Sequence, residues 1–345
     1  MIRLGERVWR GMSHENSCLK FSISIVHHDG LAMLKDCLRT LAQNPPTCTY
    51  EIVVVDNCST DGAREFLKKD YPQIVLIENT ERHGFGENHN IALKQCRGEY
   101  VFLLNDDTLI HAGALDALVE VLDARPDVVV VGPKLLNRDG TLQKSCYRFP
   151  SPTRCLWENL LLTAAFPNSP LFGDYRAWAH DTVREVDFVI GAALLIRRSI
   201  FDKVGGFDPH FFMYAEETDL QKRLSVAGGK VLFTPDAVIT HLGGGSSEGM
   251  KSRQFCEFNR SGAKYTRKHH GVFGLAVHRA SMIFGAVFRL TLWTLLYPIK
   301  RSTAKAQLET WARLLKWWMG FGPHEGIAEL VQQKSRPISV AQGEN

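Results

Sequence analysis

Short apolar runs alternate with amphipathic segments along the first 135 residues of the chain. The runs are bounded by polar residues, which predicts buried β-strands at 21–26, 51–55, 73–78, 100–104 and 128–131. Between them, apolar residues recur at helical spacing in segments 32–43, 63–69, 87–96 and 115–122. Strands that alternate with helices in this order predict an α/β fold, with a mostly parallel sheet flanked by helices.

Polar loops follow several of these predicted strands. Asp56 to Gly62 follows the second strand, and Asn105-Asp106-Asp107 follows the fourth. Ligands of open α/β sheets bind beyond the carboxyl ends of the strands, where carboxylates can hold Mg²⁺ or Mn²⁺ against a phosphate. These loops therefore predict a site for a nucleotide or a phosphorylated substrate. A simple turn with a helix N-cap explains the same residues, so both interpretations stay open here.

The second half of the chain carries another acidic cluster and a histidine. After an aromatic stretch at 147–180 and an apolar run at 186–196, Glu216-Glu217-Thr218-Asp219 opens a predicted helix at 220–226. Residues three apart share a helix face, so Glu216 and Asp219 point together and Glu217 points elsewhere. A carboxylate aimed into a pocket can act as a general base, although a capping motif explains the cluster equally well. His241 follows a predicted strand within 231–238 and precedes three glycines.

The C-terminal region is apolar and aromatic between residues 272 and 299. Segment 280–299 has about the length of a membrane span, but Arg289 inside it is costly in a bilayer. Phe284, Phe288, Leu292 and Leu295 recur at helical spacing, as in an amphipathic helix at a membrane interface. Interfacial helix, packing or oligomer contact, and true span all stay open. The preceding stretch 251–268 holds six Lys or Arg against one Glu.

Composition narrows the class of protein. The chain has 345 residues, 45% of them hydrophobic, which is enough for a large core, and a net charge of +4, which is too mild to indicate a nucleic-acid partner. Eight cysteines without a CxxC pair favour a reducing compartment over a zinc site or a disulfide framework. No secretory h-region is visible near the N-terminus, so we expect a cytoplasmic enzyme.

The order of these motifs resembles the inverting family 2 glycosyltransferases, which have the GT-A fold. The resemblance covers residues 21–250 and is closest in character to the rhamnosyltransferase-like subgroup of bacterial surface-polysaccharide synthesis. The motifs that carry it are Val54 to Gly62, Gly84-Phe85-Gly86 with Asn88 to Asn90, Phe102 to Thr108, Gly205 to Asp208, Phe212 to Leu220, and His241 to Ser246.

The resemblance implies a role for each matching position. Glu217 occupies the position of the catalytic base, with Glu216 and Asp219 beside it. Asp107 and His241 are implied as metal ligands for Mg²⁺ or Mn²⁺. The implied donor-binding residues are Val26, His28, Asp56, Asn57, Ser59, Gly86, Asn90, Asn105 and Asp106.

Three positions depart from the family pattern. Asn105 stands where the family has the first Asp of its DxD motif, and Glu217 stands where Asp is usual. The first-strand loop has His27-His28 in place of the usual Tyr-Asn pair. Glu216 therefore remains an alternative base, and the metal site depends more on Asp107.

The implied function is metal-dependent, inverting transfer of rhamnose or another hexose from a dTDP- or UDP-linked donor to a saccharide or lipid-linked saccharide. The implied location is the cytoplasmic face of the bacterial inner membrane, as a peripheral protein. A nucleotidyltransferase and a sugar-nucleotide-binding module without activity are the alternatives. We expect a flexible leader at 1–20, a donor half at 21–135, an acceptor and catalytic half at 136–250, a helical extension at 251–332 that contacts a membrane or an oligomer partner, and a disordered tail at 333–345.

Overall fold

A computed structural model describes residues 19–243 and 248–321. Three predicted segments lie outside these residues: the leader apart from its last two residues, the glycine loop after Gly243, and the tail. The strands are β1 Phe21–His27, β2 Tyr50–Asp56, β3 Val75–Glu78, β4 Tyr100–Asn105, β5 Thr108–Ile110, β6 Val128–Leu136, β7 Leu142–Gln143, β8 Cys146–Tyr147, β9 Arg184–Val186, β10 Phe188–Val189, β11 Ala193–Arg197 and β12 Lys230–His241.

Helices pack on both sides of the strands. They are α1 Leu31–Gln43, α2 Ala63–Asp70, α3 Phe85–Leu93, α4 Ala114–Ala124, α5 Pro152–Asn159, α6 Leu162–Ala165, α7 Arg198–Val204, α8 Glu216–Val226, α9 Glu248–Leu296 and α10 Arg301–Met319. A short 3₁₀ turn lies at Tyr175–Ala177. The long helix α9 is interrupted at Gly271, whose φ of 70° is left-handed and favours glycine.

The main sheet has the strand order β3-β2-β1-β4-β11-β6-β12-β5. Strands β1 to β4 pair in parallel, which confirms the order predicted from the alternation of strands and helices. Strand β11 then runs antiparallel between β4 and β6, so the sheet is mixed beyond this point. The acidic loop after β4 leads into strand β5, so the alternative interpretation as a turn that caps a helix was wrong.

The sheet is buried on both faces, and its side chains alternate between two apolar clusters. In β4, Phe102 and Leu104 join one cluster with α1 and α4, whereas Val101 and Leu103 join the other with α3 and α8. Strands covered on both faces are continuously apolar, as in parallel sheets with helices on each side. The core therefore holds the carboxyl ends of β1, β2 and β4 rigidly along one edge.

His89 lies in this core, between β1 and the Phe207 region, and it should make stability depend on acid. Its ring is fully buried, its Nδ1 lies 2.8 Å from the Ser24 hydroxyl, and burial lowers its pKa to about 3. An unfolded chain binds a proton there near pH 6.5, so the free energy of unfolding falls as pH drops below 6.5, by up to about 1.4 kcal/mol per pH unit.

We therefore expect His89→Gln to flatten the loss of stability between pH 7 and pH 5.5, measured by urea unfolding. The exposed His111, replaced in the same way, is the control. An unchanged slope in His89→Gln would contradict the assignment.

Segment α5–α6 docks on α9 through a buried amide. Asn159 donates to the Ser281 hydroxyl at 3.1 Å, and its side chain lies against Gly285, where a Cβ atom would overlap it. Arg289 donates to the Asn159 and Glu158 carbonyl oxygens at 3.3 and 2.9 Å. The arginine inside the apolar segment is therefore used to hold the end of α5.

Among the described residues, one helix is long and apolar enough to cross a membrane, within Lys251–Leu296, by length and composition alone. Its most apolar window has a mean hydropathy of 1.5 and is 22% buried.

Candidate active site

Three polar loops meet at the carboxyl edge of β1, β2 and β4. The register pairs His27 with Asp56 across β1 and β2, and Val26 with Asn105 across β1 and β4. Parallel strands that end in register bring their following loops to one edge of the sheet. The predicted convergence of the loops is therefore confirmed.

His27 connects two of these loops and was not among the predicted site residues. Its fully buried ring lies between carboxylates, with Nδ1 2.6 Å from Asp106 Oδ2 and Nε2 3.2 Å from Asp61 Oδ2. Burial opposes the charged form, yet the two carboxylates raise the pKa of His27 above its ordinary value. The contact with the buried His27 ring therefore fixes the position of the Asp106 carboxylate. The sequence did contain a signal for this role, because His27 ends the first strand and precedes the Asp-rich loops.

Asp107 and His241 form the second part of the site. Antiparallel pairing of β5 with β12 places His241 opposite Thr108, next to Asp107. His241 Nε2 lies 3.2 Å from Asp107 Oδ1 and 3.5 Å from the Asn105 amide nitrogen. The other ring nitrogen, Nδ1, lies 2.8 Å from Gln143 Oε1. Since Gln143 Oε1 only accepts, Nδ1 carries the proton and Nε2 keeps its lone pair.

This pair fits a divalent cation. Asp107 Oδ1 is buried without a hydrogen-bond partner among the described residues, and Gln143 orients the imidazole as carbonyls orient metal-bound histidines. In the part of the chain described, no group of three or more His, Cys, Asp or Glu side chains could hold a metal. Two protein ligands suit Mg²⁺ or Mn²⁺, which are commonly bound by one or two side chains together with substrate phosphates and water.

Asp56 and Asn57 organise the loop after β2. Asp56 is fully buried, accepts a hydrogen bond from the Ser59 hydroxyl and pairs with the Arg64 guanidinium. Asn57 holds the loop before α3, since its Oδ1 accepts from the His83 backbone N–H at 2.9 Å and its Nδ2 donates to the His83 carbonyl at 3.0 Å. Asp56 and Asn57 therefore hold the loops at this edge of the sheet in place from the buried side.

His28 and Arg82 lie on the outer side of this edge. His28 Nδ1 lies 2.9 Å from the Asn57 carbonyl oxygen, and burial together with the nearby Arg82 charge lowers the pKa of His28. Arg82 was missed from the sequence, yet its buried Nε has no hydrogen-bond partner among the described residues. The Arg82 guanidinium lies near Asp29 and His28, and this N–H without a partner suits an anionic ligand.

Gly86 and Asn90, both predicted to bind the donor, pack against the Phe207 segment. A Cβ atom at Gly86 would lie 2.8 Å from Phe207, so this glycine permits close packing of α3. Asn90 uses both ends of its amide on the Phe207 backbone, at 2.8 and 2.9 Å. The Phe207 segment thus occupies the Asn90 amide and the space beside Gly86, and donor contact by these two residues stays a prediction.

The acidic helix α8 lies against the same edge. Gly191 packs on Glu217, with 3.5 Å between a Cβ built at Gly191 and Glu217 Cγ, and the neighbouring Ala192 carbonyl accepts from the Asn105 N–H at 2.9 Å. Glu217 therefore packs on Gly191, and the next residue, Ala192, bonds to Asn105 at the end of β4. The Glu217 carboxylate makes no ion pair within the described part of the chain, and the backbone N–H groups of Glu217 and Thr218, at the start of α8, donate to it.

Glu216 and Glu217 are adjacent but differ in surroundings. Burial raises the pKa of Glu217, and burial together with the Glu217 charge raises that of Glu216 well above its usual range. Glu216 is 4% exposed and Glu217 more, so the second is better placed to meet a substrate. The preceding Tyr214 and Ala215 both have left-handed φ angles, 67° and 66°. Such strain is typical of functional segments.

Asp219 points away from Glu217, as predicted from helical spacing. It is fully buried, with Arg223 Nε at 2.8 Å, Lys268 Nζ at 2.7 Å and His269 Nε2 at 2.8 Å. These partners hold both of its oxygens. Asp219 thus anchors α8 to α9 and is not free to take a proton from a substrate.

The fold and the edge described above define a GT-A protein, with a parallel first half and an antiparallel continuation that carries an acidic helix. Residues 22–205 match Glycosyl transferase family 2, and the chain belongs to this family. The predicted fold class and family are therefore confirmed.

Relatives of known name agree with this. N-acetylglucosaminyl-diphospho-decaprenol L-rhamnosyltransferase of Mycobacterium tuberculosis (strain ATCC 25618 / H37Rv) is 31% identical over 202 residues, which are 55% of this chain and 66% of the relative. The chain thus spans just under two thirds of that relative. Rhamnosyltransferase WbbL of Escherichia coli (strain K12) is 26% identical over 280 residues, 76% of this chain and 98% of WbbL.

Solved structures show the same fold. Mannosyltransferase PcManGT from Pyrobaculum calidifontis, in complex with GDP-Man and Mn²⁺, aligns with a TM-score of 0.53 and 19% identity, over 91% of this chain and 92% of its own. GalNAc-T7 with UDP, GalNAc and Mn²⁺ aligns with a TM-score of 0.51 and 17% identity, over 67% and 44%. At these identities the likeness concerns the fold alone.

Proposed function

We propose that the chain transfers a sugar, rhamnose or another hexose, from a dTDP- or UDP-linked donor to a saccharide or lipid-linked saccharide, in cell-surface polysaccharide synthesis. The observation that carries the proposal is the shared edge: Asn105 lies beside His241 of the Asp107–His241 pair and bonds to Ala192, and the adjacent Gly191 packs on Glu217. The rhamnosyltransferases among the relatives, one of them named for a diphospho-decaprenol acceptor, support this choice of substrates.

Different residues of the site have different roles in the proposed reaction. Asp107 and His241 would hold the divalent cation, which when bound neutralises charge developing on the leaving diphosphate. Arg82 and the loop of Asp56 and Asn57 bind and orient the nucleotide end. Glu217 takes the proton of an acceptor hydroxyl. The hydroxyl oxygen bonds to the anomeric carbon as the bond from that carbon to the diphosphate oxygen breaks, and one displacement inverts the configuration.

The site of action is proposed to be the cytoplasmic face of the bacterial inner membrane. Helix α9 and the turn before α10 expose large apolar side chains, including Phe273, Leu295 and Ile299, at 82%, 71% and 78%. Basic side chains accompany them on α10, and basic residues with apolar ones favour a surface of anionic lipid.

The proposal predicts metal-dependent donor binding and turnover. UDP and dTDP should raise the melting temperature of the full chain in the presence of Mn²⁺ and much less in EDTA, because Asp107 and His241 would hold the cation whose charge attracts the diphosphate. Incubation with nucleotide sugars and Mn²⁺ should then release nucleoside diphosphate, and NMR of the transferred sugar should show inverted anomeric configuration. Binding without turnover of any donor would favour a binding module, and retained configuration would contradict the single displacement.

A further inference from the structure

Three arginines gather around the ring of Tyr175, in the second half of the chain. The guanidinium carbons of Arg148 and Arg184 lie 5.3 and 5.2 Å from the centre of this ring. Burial lowers the pKa of Arg154, and the charge of the nearby Arg148 lowers it further. Nothing in the proposed donor chemistry uses these three side chains. Like charges held close together attract an anion, which would relieve their repulsion.

Most N–H groups of these guanidiniums have no acceptor. Within the described residues, Arg148 and Arg184 make no hydrogen bond or ion pair, and the Nε of Arg148 is buried without a partner. Arg154 donates one hydrogen bond, from Nη1 to the Gly173 carbonyl at 3.3 Å. A guanidinium that lies over a ring face still directs its N–H groups outward in its own plane. The three side chains therefore hold unused donors for a ligand.

The carboxylates near the arginines are engaged with other groups. Asp187 Oδ2 accepts from the Phe149 backbone N–H at 2.8 Å, and its Oδ1 accepts from the Tyr175 hydroxyl at 3.2 Å. Asp174 pairs with Arg176, and its Oδ1 also accepts from the backbone N–H of that residue at 2.8 Å. The arginines therefore keep an excess of positive charge, which an anion with two or more negative charges would balance.

A short segment leads from this cluster to the proposed base. Gln221 fastens Val189 to α8, because its amide donates to the Val189 carbonyl at 2.8 Å and accepts from the Val189 N–H at 2.9 Å. Two residues later, Gly191 packs on Glu217. Four residues of extended chain span at most about 14 Å, so the Cα atoms of Asp187 and Gly191 are no further apart than this. The cluster and the base thus lie along one segment that is fixed to α8.

We propose that Arg148, Arg154 and Arg184 bind the phosphate groups of the acceptor, a saccharide carried on a lipid diphosphate. The inference rests on the proposed function, which supplies such an acceptor. Guanidiniums that lie on ring faces are fixed in orientation, and their paired N–H groups match the oxygens of a phosphate. A sugar attached to this diphosphate extends along segment 187–191 toward Glu217, which takes the proton of its hydroxyl.

The test measures vesicle binding by the full chain in EDTA, so that it depends neither on metal nor on donor turnover. Phosphatidylcholine vesicles carry either phosphatidylglycerol or undecaprenyl diphosphate, at the same total negative charge. We expect partition onto the diphosphate vesicles to be about tenfold higher, because the arginines offer paired N–H groups to two adjacent phosphates. Excess inorganic diphosphate in solution should remove this preference, since it competes for the same N–H groups.

Single variants locate the site on the protein. Arg184→Gln carries little risk to folding, because this side chain is exposed, and it should remove most of the preference. Arg148→Gln should have the same effect. Arg138→Gln, in the exposed turn between β6 and β7, is the matched control and should keep the preference. Arg82→Gln, at the donor edge, should keep it as well.

Equal partition onto the two anionic vesicles would overturn the proposal and leave a general anionic-lipid surface. A preference that survives both Arg184→Gln and Arg148→Gln would also overturn it. Loss of the preference in Arg82→Gln would instead place the diphosphate at the donor edge, and a preference that inorganic diphosphate does not remove would assign recognition to the hydrocarbon chain. Either result contradicts the arginine site.

Donor turnover is measured separately with Mn²⁺, so the two proposals fail independently. A chain that turns over donor without the diphosphate preference refutes only the arginine site. A chain with the preference but without turnover refutes only the transfer.

Discussion

Glu217→Gln is expected to lower kcat for sugar transfer by about 10²–10⁴-fold, the range for loss of a general base, while the donor KM stays near that of the wild type. The amide keeps the shape of the side chain but cannot take the acceptor proton. Because burial raises the pKa of Glu217, the acidic limb of the wild-type pH–rate profile should lie above the ordinary glutamate range, and activity should fall as pH drops through it. Steady-state kinetics against pH measure both effects.

The adjacent Glu216→Gln is the matched control. It removes a buried carboxylate of the same helical turn, at 4% exposure, and should retain most activity. Since its partnerless Oε2 is buried, the neutral amide should not lower the free energy of unfolding by more than a surface substitution does. Loss of transfer in Glu216→Gln with retention in Glu217→Gln would move the base to Glu216.

Asp107→Ala is expected to abolish the metal-dependent stabilisation of the protein by the donor. It should also lower donor turnover by about 10²-fold or more. His241 alone leaves the cation with one protein ligand. Gln143→Leu should give a graded result, with metal affinity about 10–100-fold weaker, because it only frees the imidazole that His241 presents. Isothermal titration with Mn²⁺ and UDP measures the first effect and donor consumption measures the second.

Asp139→Ala serves as the control for a lost acid, since Asp139 is exposed in the hairpin and bonds only to Thr141. It should behave as the wild type in both assays. Wild-type turnover in Asp107→Ala would contradict the metal site, whereas weakened binding in Asp139→Ala would show that overall charge, rather than this carboxylate, governs donor affinity.

The parallel half of the fold was accessible from the sequence because its signals are local. Strands β1 to β4 are rich in apolar residues, and each following loop begins at the carboxyl end of its strand, so the convergence of Asp56, Asp61 and Asp106 follows from topology. The pairing of Asp107 with His241 joins residues far apart in the chain, and only the family resemblance could predict it.

Other features depend on tertiary packing that no local pattern encodes. The antiparallel insertion of β11 carries Gly191 to Glu217, and the β7 hairpin carries Gln143 to His241. Asn90 was assigned to the donor because of its motif, but its amide matches the backbone of Phe207. Asp219 was grouped with the base because it is two residues away, whereas its partners come from a helix about 50 residues later.

The anchoring of Asp219 also sets where this enzyme can be divided. The boundary expected at residue 250 falls before Lys268 and His269, which hold one oxygen of a carboxylate that is fully buried. A chain ending there would leave that charge with Arg223 alone, and loss of partners from a buried ion pair commonly costs about 3–5 kcal/mol. The first half of α9 is thus part of the catalytic folding unit, and any recombination of catalytic domains and C-terminal helices among relatives must exchange the acid and its cations together.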